Sequence, residues 1–277
     1  MTTTTPGTKP DHTTTRALSL ASGRGLRMNR ASWTILSLIF TIVVWALVVA
    51  LFSPAPYILP SPGSVIERLW TSREMLTEAA WPTIEVVLSG FAIALVIAVP
   101  LGMLIVAIPL LDKMIYPLVI AFNSIPKVAL APLFVVWFGY GSAPRILITF
   151  SIAFFPILVD TITGLRSIDN EMIRLSRSMG ASTLRSFMRV RLPNALPSIF
   201  AGTKVATSLA VIGAIIGEFV ASDQGWGYLL IRAQGQLDTT LIFAILILLA
   251  VFATVLFYIV EGVERLVIPW HSSHRKT

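Results

Sequence analysis

The sequence predicts an all-α polytopic membrane protein: about six transmembrane helices, both termini cytoplasmic, and one folded cytoplasmic loop between helices four and five. Three observations carry that reading. Of 277 residues, 55% are hydrophobic and only 13% charged, where a soluble domain carries about 25%. Apolar runs of roughly 20 residues, the length that crosses a hydrocarbon core of about 30 Å, recur along the chain. Lysine and arginine fall overwhelmingly on alternate connecting segments, as cytoplasmic placement of positive charge requires. The short alternating strands of a membrane β-barrel are not the pattern here.

Residues 1–31 are rich in Thr, Ser, Gly and Arg without apolar periodicity, and a disordered cytoplasmic tail is expected there. The apolar run 33–52 follows Arg24, Arg27 and Arg30. It exceeds the roughly 7–15 apolar residues of a signal peptide and lacks a clear cleavage pattern, so it reads as a retained first helix. Segment 53–62 carries four prolines and cannot be helical, which makes it an external connector. Over 64–80, Val65, Ile66, Leu69, Trp70, Met75 and Leu76 are spaced among five charges. That suits an interfacial helix on the outer surface, or an ordinary solvated one. Helix two is expected at 84–108, helix three at 114–139, helix four at 144–165, helix five at 197–220 and helix six at 240–260. The membrane domain then spans 32–265, and a second cytoplasmic tail covers 266–277.

With this placement the cytoplasmic segments 16–30, 110–113, 166–196 and 261–277 hold fourteen Lys and Arg residues. The external segments 53–83, 140–143 and 221–239 hold three: Arg68, Arg73 and Arg232. Trp33, Trp70, Trp81, Trp226 and Trp270 sit at predicted boundaries and read as interfacial anchors.

Composition excludes several chemistries. Without cysteine there is no disulfide, thiol catalysis or cysteine-ligated zinc. The three histidines, His12, His271 and His274, lie in the tails, which leaves no histidine metal or acid–base site in the bundle. No Gly-x-x-x-x-Gly-Lys-[Ser/Thr] phosphate loop occurs; Gly202-Thr203-Lys204 has the wrong order. The chain is therefore not expected to bind a cofactor or hydrolyse ATP itself, and no serine has a histidine partner for nucleophilic catalysis. The net charge of +7 reports orientation rather than nucleic-acid binding.

The most informative stretch is the polar, arginine-rich loop 166–197. Residues 170–179 and 182–191 are both helix-compatible and are separated by Gly180-Ala181, where glycine permits the positive φ that ends one helix. Ser182 suits an N-cap. Leu184, Phe187, Met188 and Leu192 fall at helical spacing, Leu192-Pro193 is expected to stop the second helix, and Pro197 to start helix five. Two short helices with an apolar knob for a partner's groove are one product. An amphipathic pair resting on lipid headgroups is the other.

The loop resembles the signature loop of inner-membrane permeases of ATP-binding-cassette importers. That pattern is Glu-Ala-Ala, three residues, Gly, then about nine residues before Ile/Val-x-Leu-Pro. Gly180, Ala181, Phe187, Val190, Leu192, Pro193, Ala195 and Pro197 fall in register with it. Over residues 55–265 the chain is more narrowly similar to the nitrate, sulfonate, taurine and pyrimidine-precursor group. The carrying stretches are 59–64, 124–141, Phe155-Pro156-Ile157, and Gly217-Glu218-Phe219-Val220 with Gly225-Trp226-Gly227-Tyr228-Leu229. The resemblance implies a bacterial inner-membrane subunit with two ATPase subunits carrying ATP and magnesium, a second permease copy and an external solute-binding protein. It also implies that Glu171, Arg174, Leu175, Ser176, Gly180, Ala181, Leu184, Phe187, Leu192, Pro193 and Pro197 form an ATPase-coupling loop. One departure stands out: the Glu-Ala-Ala triplet is Arg174-Leu175-Ser176 here, so a basic residue replaces the acidic one.

Ionisable groups inside spans cost about 2.5–3.5 kcal/mol on insertion scales and are functional candidates for that reason. Lys127, expected mid-helix beside Asn123 and Pro126, either lines a pathway for an anionic or polar solute, pairs with Glu218 or Asp160, or snorkels. Glu218, near the outer end of helix five, lines an external vestibule or sits at the interface. Glu85 and Asp160 are expected near helix ends, in contact with water. A self-contained secondary transporter or channel is the alternative, but it needs several mid-membrane carboxylates in paired halves. A membrane scaffold or sensor would use the loop without transport.

Overall fold

A computed structural model describes residues 30–270. The tails expected at 1–31 and 266–277 therefore lie mostly outside the described residues, as do all three histidines. Arg30 already opens a helix, and the last long helix runs on to Val267. All regular structure among the described residues is helical: α1 (Arg30–Phe52), α2 (Pro62–Thr71), α3 (Arg73–Ala107), α4 (Pro109–Asn123), α5 (Ala131–Phe138), α6 (Ser142–Arg166), α7 (Asn170–Ser178), α8 (Thr183–Ser186), α9 (Leu192–Ala221), α10 (Trp226–Gly235) and α11 (Thr239–Val267). A 3-10 turn, Lys127–Leu130, precedes α5, and a π turn, Phe187–Arg191, joins α8 to α9.

The chain divides into two units, one ending at Leu51 and the other beginning at Phe52. The first contributes α1, whose 23 residues rise about 35 Å at 1.5 Å each, enough to cross a membrane. The second contains everything else.

Small residues set the architecture of the second unit. Helices in lipid gain no hydrophobic drive toward each other, so close backbone approach through glycine, alanine and serine decides where they pack. A side-chain carbon added to Gly217 would lie 2.9 Å from Arg145 Cα, one on Gly213 2.8 Å from Thr149 Cα, and one on Gly202 2.6 Å from Asp160. One on Gly164 would lie 2.6 Å from Ser198. As the number rises along α6 it falls along α9, so the two helices are antiparallel and face to face over their whole length. Gly90 meets Thr149 and Gly102 meets Thr161 in the same way, so α3 runs parallel to α6. The ion pair Lys204–Glu264 (2.6 Å) joins the first half of α9 to the end of α11, making these antiparallel. Between them lie the buried residues Val87, Ala94, Ile157, Ala206, Ala210 and Ile245.

This geometry decides the number of crossings. Among the described residues five helices are long and apolar enough to span, and α4 with the 3-10 turn and α5 forms a pair bent by 86°. Because α3 and α6 run the same way, the chain between them must return across the bundle. The bent pair is therefore one broken crossing, and helix three is not the continuous helix expected at 114–139. The break has a local cause: Pro126 lacks the N–H that would extend α4 and pushes Ile125 out of helical conformation.

Two further boundaries differ. The segment 64–80 is not one interfacial helix: α2 ends at Thr71, and Arg73 already starts α3, which carries Pro82 inside it. Glu85 and Asp160 lie inside α3 and α6 rather than at their ends. Trp226 is no interfacial anchor. It is buried, its indole Nε1 donates to Leu76 O (2.9 Å), and its N–H donates to Thr83 Oγ1 (2.8 Å).

Candidate functional site

The loop between α6 and α9 is a built object. Asp169 caps α7 by accepting from Glu171 N (3.0 Å), and Ser182 caps α8 by accepting from Arg185 N (3.3 Å). Between them Gly180 takes φ +82°, and the N–H of Ala181 donates to Ser176 O (3.1 Å). The left-handed residue thus ends α7 and reverses the chain at a position that disfavours any residue with a Cβ. The Ser176 and Ser186 hydroxyls lie 2.6 Å apart and tie the two helices together. Ser176 is the third position of the departing triplet, so its role is internal, whereas Arg174 and Leu175 are exposed.

The apolar residues of the loop separate into two sets. Phe187 and Leu192 are half-buried against Leu165, Ala195 and Ile199 and anchor the loop to the ends of α6 and α9. Leu175, Met179, Leu184 and Met188 are exposed, Met179 by 79% and Leu184 by 71%. The apolar surface that the loop exposes is this second set, not Phe187 and Leu192 as their spacing suggests. Leu192-Pro193 does not stop a helix either. α9 begins at Leu192, with Pro193 in its first turn and Pro197 inside it. The missing N–H of Pro193 has no intrahelical partner in any case, and Pro197 is carried as proline is in other membrane helices.

At the broken crossing, Asn123, Pro126 and Lys127 do come together. Lys127 opens the 3-10 turn rather than sitting mid-helix. Its Nζ donates to the Asn123 carbonyl and to Asn123 Oδ1 (3.0 Å), and it stands 4.5 Å over the Phe155 ring. The ammonium therefore caps the C-terminus of α4, where the helix dipole and free carbonyls favour a cation. Among the described residues Lys127 forms no ion pair, so the expected pairing with Glu218 or Asp160 does not occur. Asn123 is exposed and Lys127 half-buried.

Glu218 is neither a vestibule residue nor an interfacial one, for it is fully buried. Its Oε2 accepts from Gly227 N (2.6 Å) at the start of α10, a favourable place for a negative charge. Gly225 has φ +101°, and a Cβ there would lie 2.5 Å from the Glu218 carboxyl; one on Gly227 would lie 2.8 Å from Glu218. The Gly217-Glu218 and Gly225-Trp226-Gly227 stretches are thus two halves of one turn lock. The glycines make room for the carboxylate, and the carboxylate orients α10.

Two buried charged groups, Arg145 and Glu264, were not singled out in the sequence. Arg145, 5% exposed, donates from Nε to Gly141 O (2.8 Å) and from a terminal nitrogen to Ser222 Oγ (2.9 Å). Lys204 pairs with Glu264, which is also 5% exposed. The available signal was Lys204 inside an apolar run, since an intramembrane cation requires a partner. On the α2 side, Arg68 pairs with Asp238 (2.6 Å). At the loop end, Arg166 pairs with Asp112 and lies 4.0 Å over the Tyr116 ring. No group of three or more metal-ligating side chains occurs among the described residues.

A helical membrane bundle with one broken crossing and a two-helix loop at one end defines a class, the polytopic α-helical membrane proteins. Comparison with known proteins narrows this. Residues 94–270 match the binding-protein-dependent transport system inner membrane component family, and the chain belongs to that family. It is a multi-pass inner-membrane protein of the permease type. It is 34% identical over 229 residues to the formylaminopyrimidine transport permease protein ThiX of Halalkalibacterium halodurans, covering 82% of this chain and 91% of that one. It is 36% identical over 265 residues to the riboflavin transport system permease protein RibX of Chloroflexus aurantiacus, covering 94% and 99%. To the taurine transport system permease protein TauC of Escherichia coli it is 28% identical, covering 83% and 86%. Inward-facing structures of the MetNI methionine ABC transporter share the fold, with TM-score 0.61, 23% identity, and coverage of 71% of this chain and 98% of that one.

Proposed function

We propose that this permease is the pathway-forming subunit of an ATP-binding-cassette importer, with both termini and the loop 166–197 on the cytoplasmic side. Two copies of the chain enclose the pathway, two separate ATPase subunits dock on the loops, and a solute-binding protein delivers the solute outside. The observation that carries this is the loop itself. α7 and α8 are locked by Gly180 and the Ser176–Ser186 contact, they present Leu175 and Met179 to solvent, and they are anchored through Phe187 and Leu192 to the α6–α9 pair. A push on such a loop moves two tightly packed crossings as one body, which is what rigid-body alternating access requires. Arg174, exposed at the position where the family carries Glu, meets a complementary acidic surface on the ATPase.

The solute is a small organic molecule or anion of the sulfonate, nitrate, taurine or pyrimidine-precursor type. Formylaminopyrimidine and taurine, named for two of the relatives, fall in that class, whereas riboflavin, named for the third, does not. Asn123, Pro126 and Lys127 line the pathway at the broken crossing, where backbone irregularity is tolerated beside a cavity. Glu218 has a different role: it holds α10.

The test is co-expression with the genetically neighbouring ATPase and binding protein. A stable complex is expected, with ATP hydrolysis rising when the binding protein is loaded. Leu175→Asp and Gly180→Pro should uncouple hydrolysis from uptake while the bundle remains inserted. Uptake by the purified chain alone in liposomes would refute the reading.

A further inference from the structure

The loop's exposed side is not its only recognition surface. Between the corner where α3 meets α4 and the inner side of α7 and α8 lies a cleft of about 830 Å³, within the roughly 300–1,000 Å³ range of ligand pockets. One wall is Met103, Leu104 and Ala107; the other includes Leu184, Phe187 and Met188, and Arg177 and Arg191 line it too. Neither guanidinium has an ion-pair or hydrogen-bond partner among the described residues, although Arg166 in the same loop is paired with Asp112. Leu104, Ile108 and Leu110 are exposed at the same corner, so the cleft continues into surface that acyl chains would cover. Segment 166–197 holds six arginines against Asp169 and Glu171.

We propose that this cleft binds an anionic phospholipid of the inner leaflet, with its phosphate between Arg177 and Arg191 and its acyl chains along Met103, Leu104 and Ala107. A basic rim over an apolar floor at headgroup level is the chemistry that selects such a lipid. A soluble anion would satisfy the arginines but leave the apolar wall wet. A zwitterionic lipid brings its own cation to the guanidiniums. The bound lipid bridges the α3–α4 corner to the loop. This rests on the cytoplasmic placement of the loop, but not on what the loop's outer face meets.

The experiment is native mass spectrometry of the full chain in mild detergent, with phosphatidylglycerol or phosphatidylcholine at matched mole fraction. Retention of phosphatidylglycerol over phosphatidylcholine is expected. R177Q/R191Q should weaken it roughly 30-fold, about fivefold per arginine. R177K/R191K should keep most of the preference, and R185Q/R189Q, whose side chains do not line the cleft, should leave it unchanged. Equal retention of the two lipids, or insensitivity to R177Q/R191Q, overturns the proposal. So does displacement of phosphatidylglycerol by millimolar inorganic phosphate, which would mark a soluble-anion site, or by the ATPase subunit, which would mark a protein-docking cleft. Failure of the ATPase to co-purify with wild-type chain would sink the importer reading and leave the lipid preference standing.

Discussion

Replacing Gly225 by alanine tests the turn lock that the two halves of the Gly217–Leu229 region form. Gly225 sits at φ +101°, ψ 170°, a region open essentially to glycine alone, where other residues cost about 1–3 kcal/mol. The added methyl would also lie 2.5 Å from the Glu218 carboxyl carbon and from its Oε1. Glu218 cannot yield outward because it is fully buried and its Oε2 accepts from Gly227 N; overpacking of that kind costs about 1–3 kcal/mol more. The sum is about 2–6 kcal/mol. At roughly 2–4 °C per kcal/mol for chains somewhat shorter than this one, Tm of the purified permease in detergent should fall by about 5–20 °C. Gly235→Ala is the control: a Cβ there meets nothing within 4 Å, so a change of no more than about 1 kcal/mol is expected. Shortening the carboxylate by Glu218→Ala removes the steric part, so the double variant should recover about 1–3 kcal/mol relative to additivity. If Gly225→Ala matches Gly235→Ala, or the cycle is additive, the lock does not exist.

Other substitutions probe the remaining polar contacts. Lys204→Met leaves Glu264 buried without its partner and should cost about 3–5 kcal/mol of thermal stability, while Lys204→Met with Glu264→Leu should return close to wild type; a single-variant loss below about 1 kcal/mol would show that water already solvates the pair. Lys127→Gln removes the cation from the α4 terminus, at a cost of under about 1 kcal/mol. Uptake should fall in that variant while Tm holds; if both hold, Lys127 is no pathway residue. Ser182→Ala removes the α8 cap, worth about 1 kcal/mol, and should speed amide exchange over 183–191 without altering the bundle; unchanged exchange would refute the cap.

Much of the loop was legible because its signals are local. Gly180 and Ser182 act within one or two turns, and the structure shows the left-handed residue and the cap that their chemistry implies. Lys127 was legible as unusual but not in its role. Its partner is the carbonyl terminus of its own helix, an acceptor that every helix offers and no sequence position marks. Glu218 was misjudged for a related reason. Distance from a predicted boundary says where a residue lies along a helix, not which face it occupies, and its face is turned to α10.

The split between chain and fold follows from the range of the forces involved. Hydrophobic length, proline and glycine placement and the bias of arginine act along the chain, so the sequence by itself determined the all-helical membrane class, the approximate crossings and the hinge at Gly180. Packing in lipid is governed by which small residues meet across helices. Only the tertiary structure, therefore, showed that α3 runs parallel to α6, that helix three is one broken crossing, and that Phe187 anchors the loop while Leu175 and Met179 stay exposed. The pairing of Lys204 with Glu264, sixty residues away, belongs to the same class of facts. A buried charge announces that it needs a partner, and the fold alone selects which one it meets.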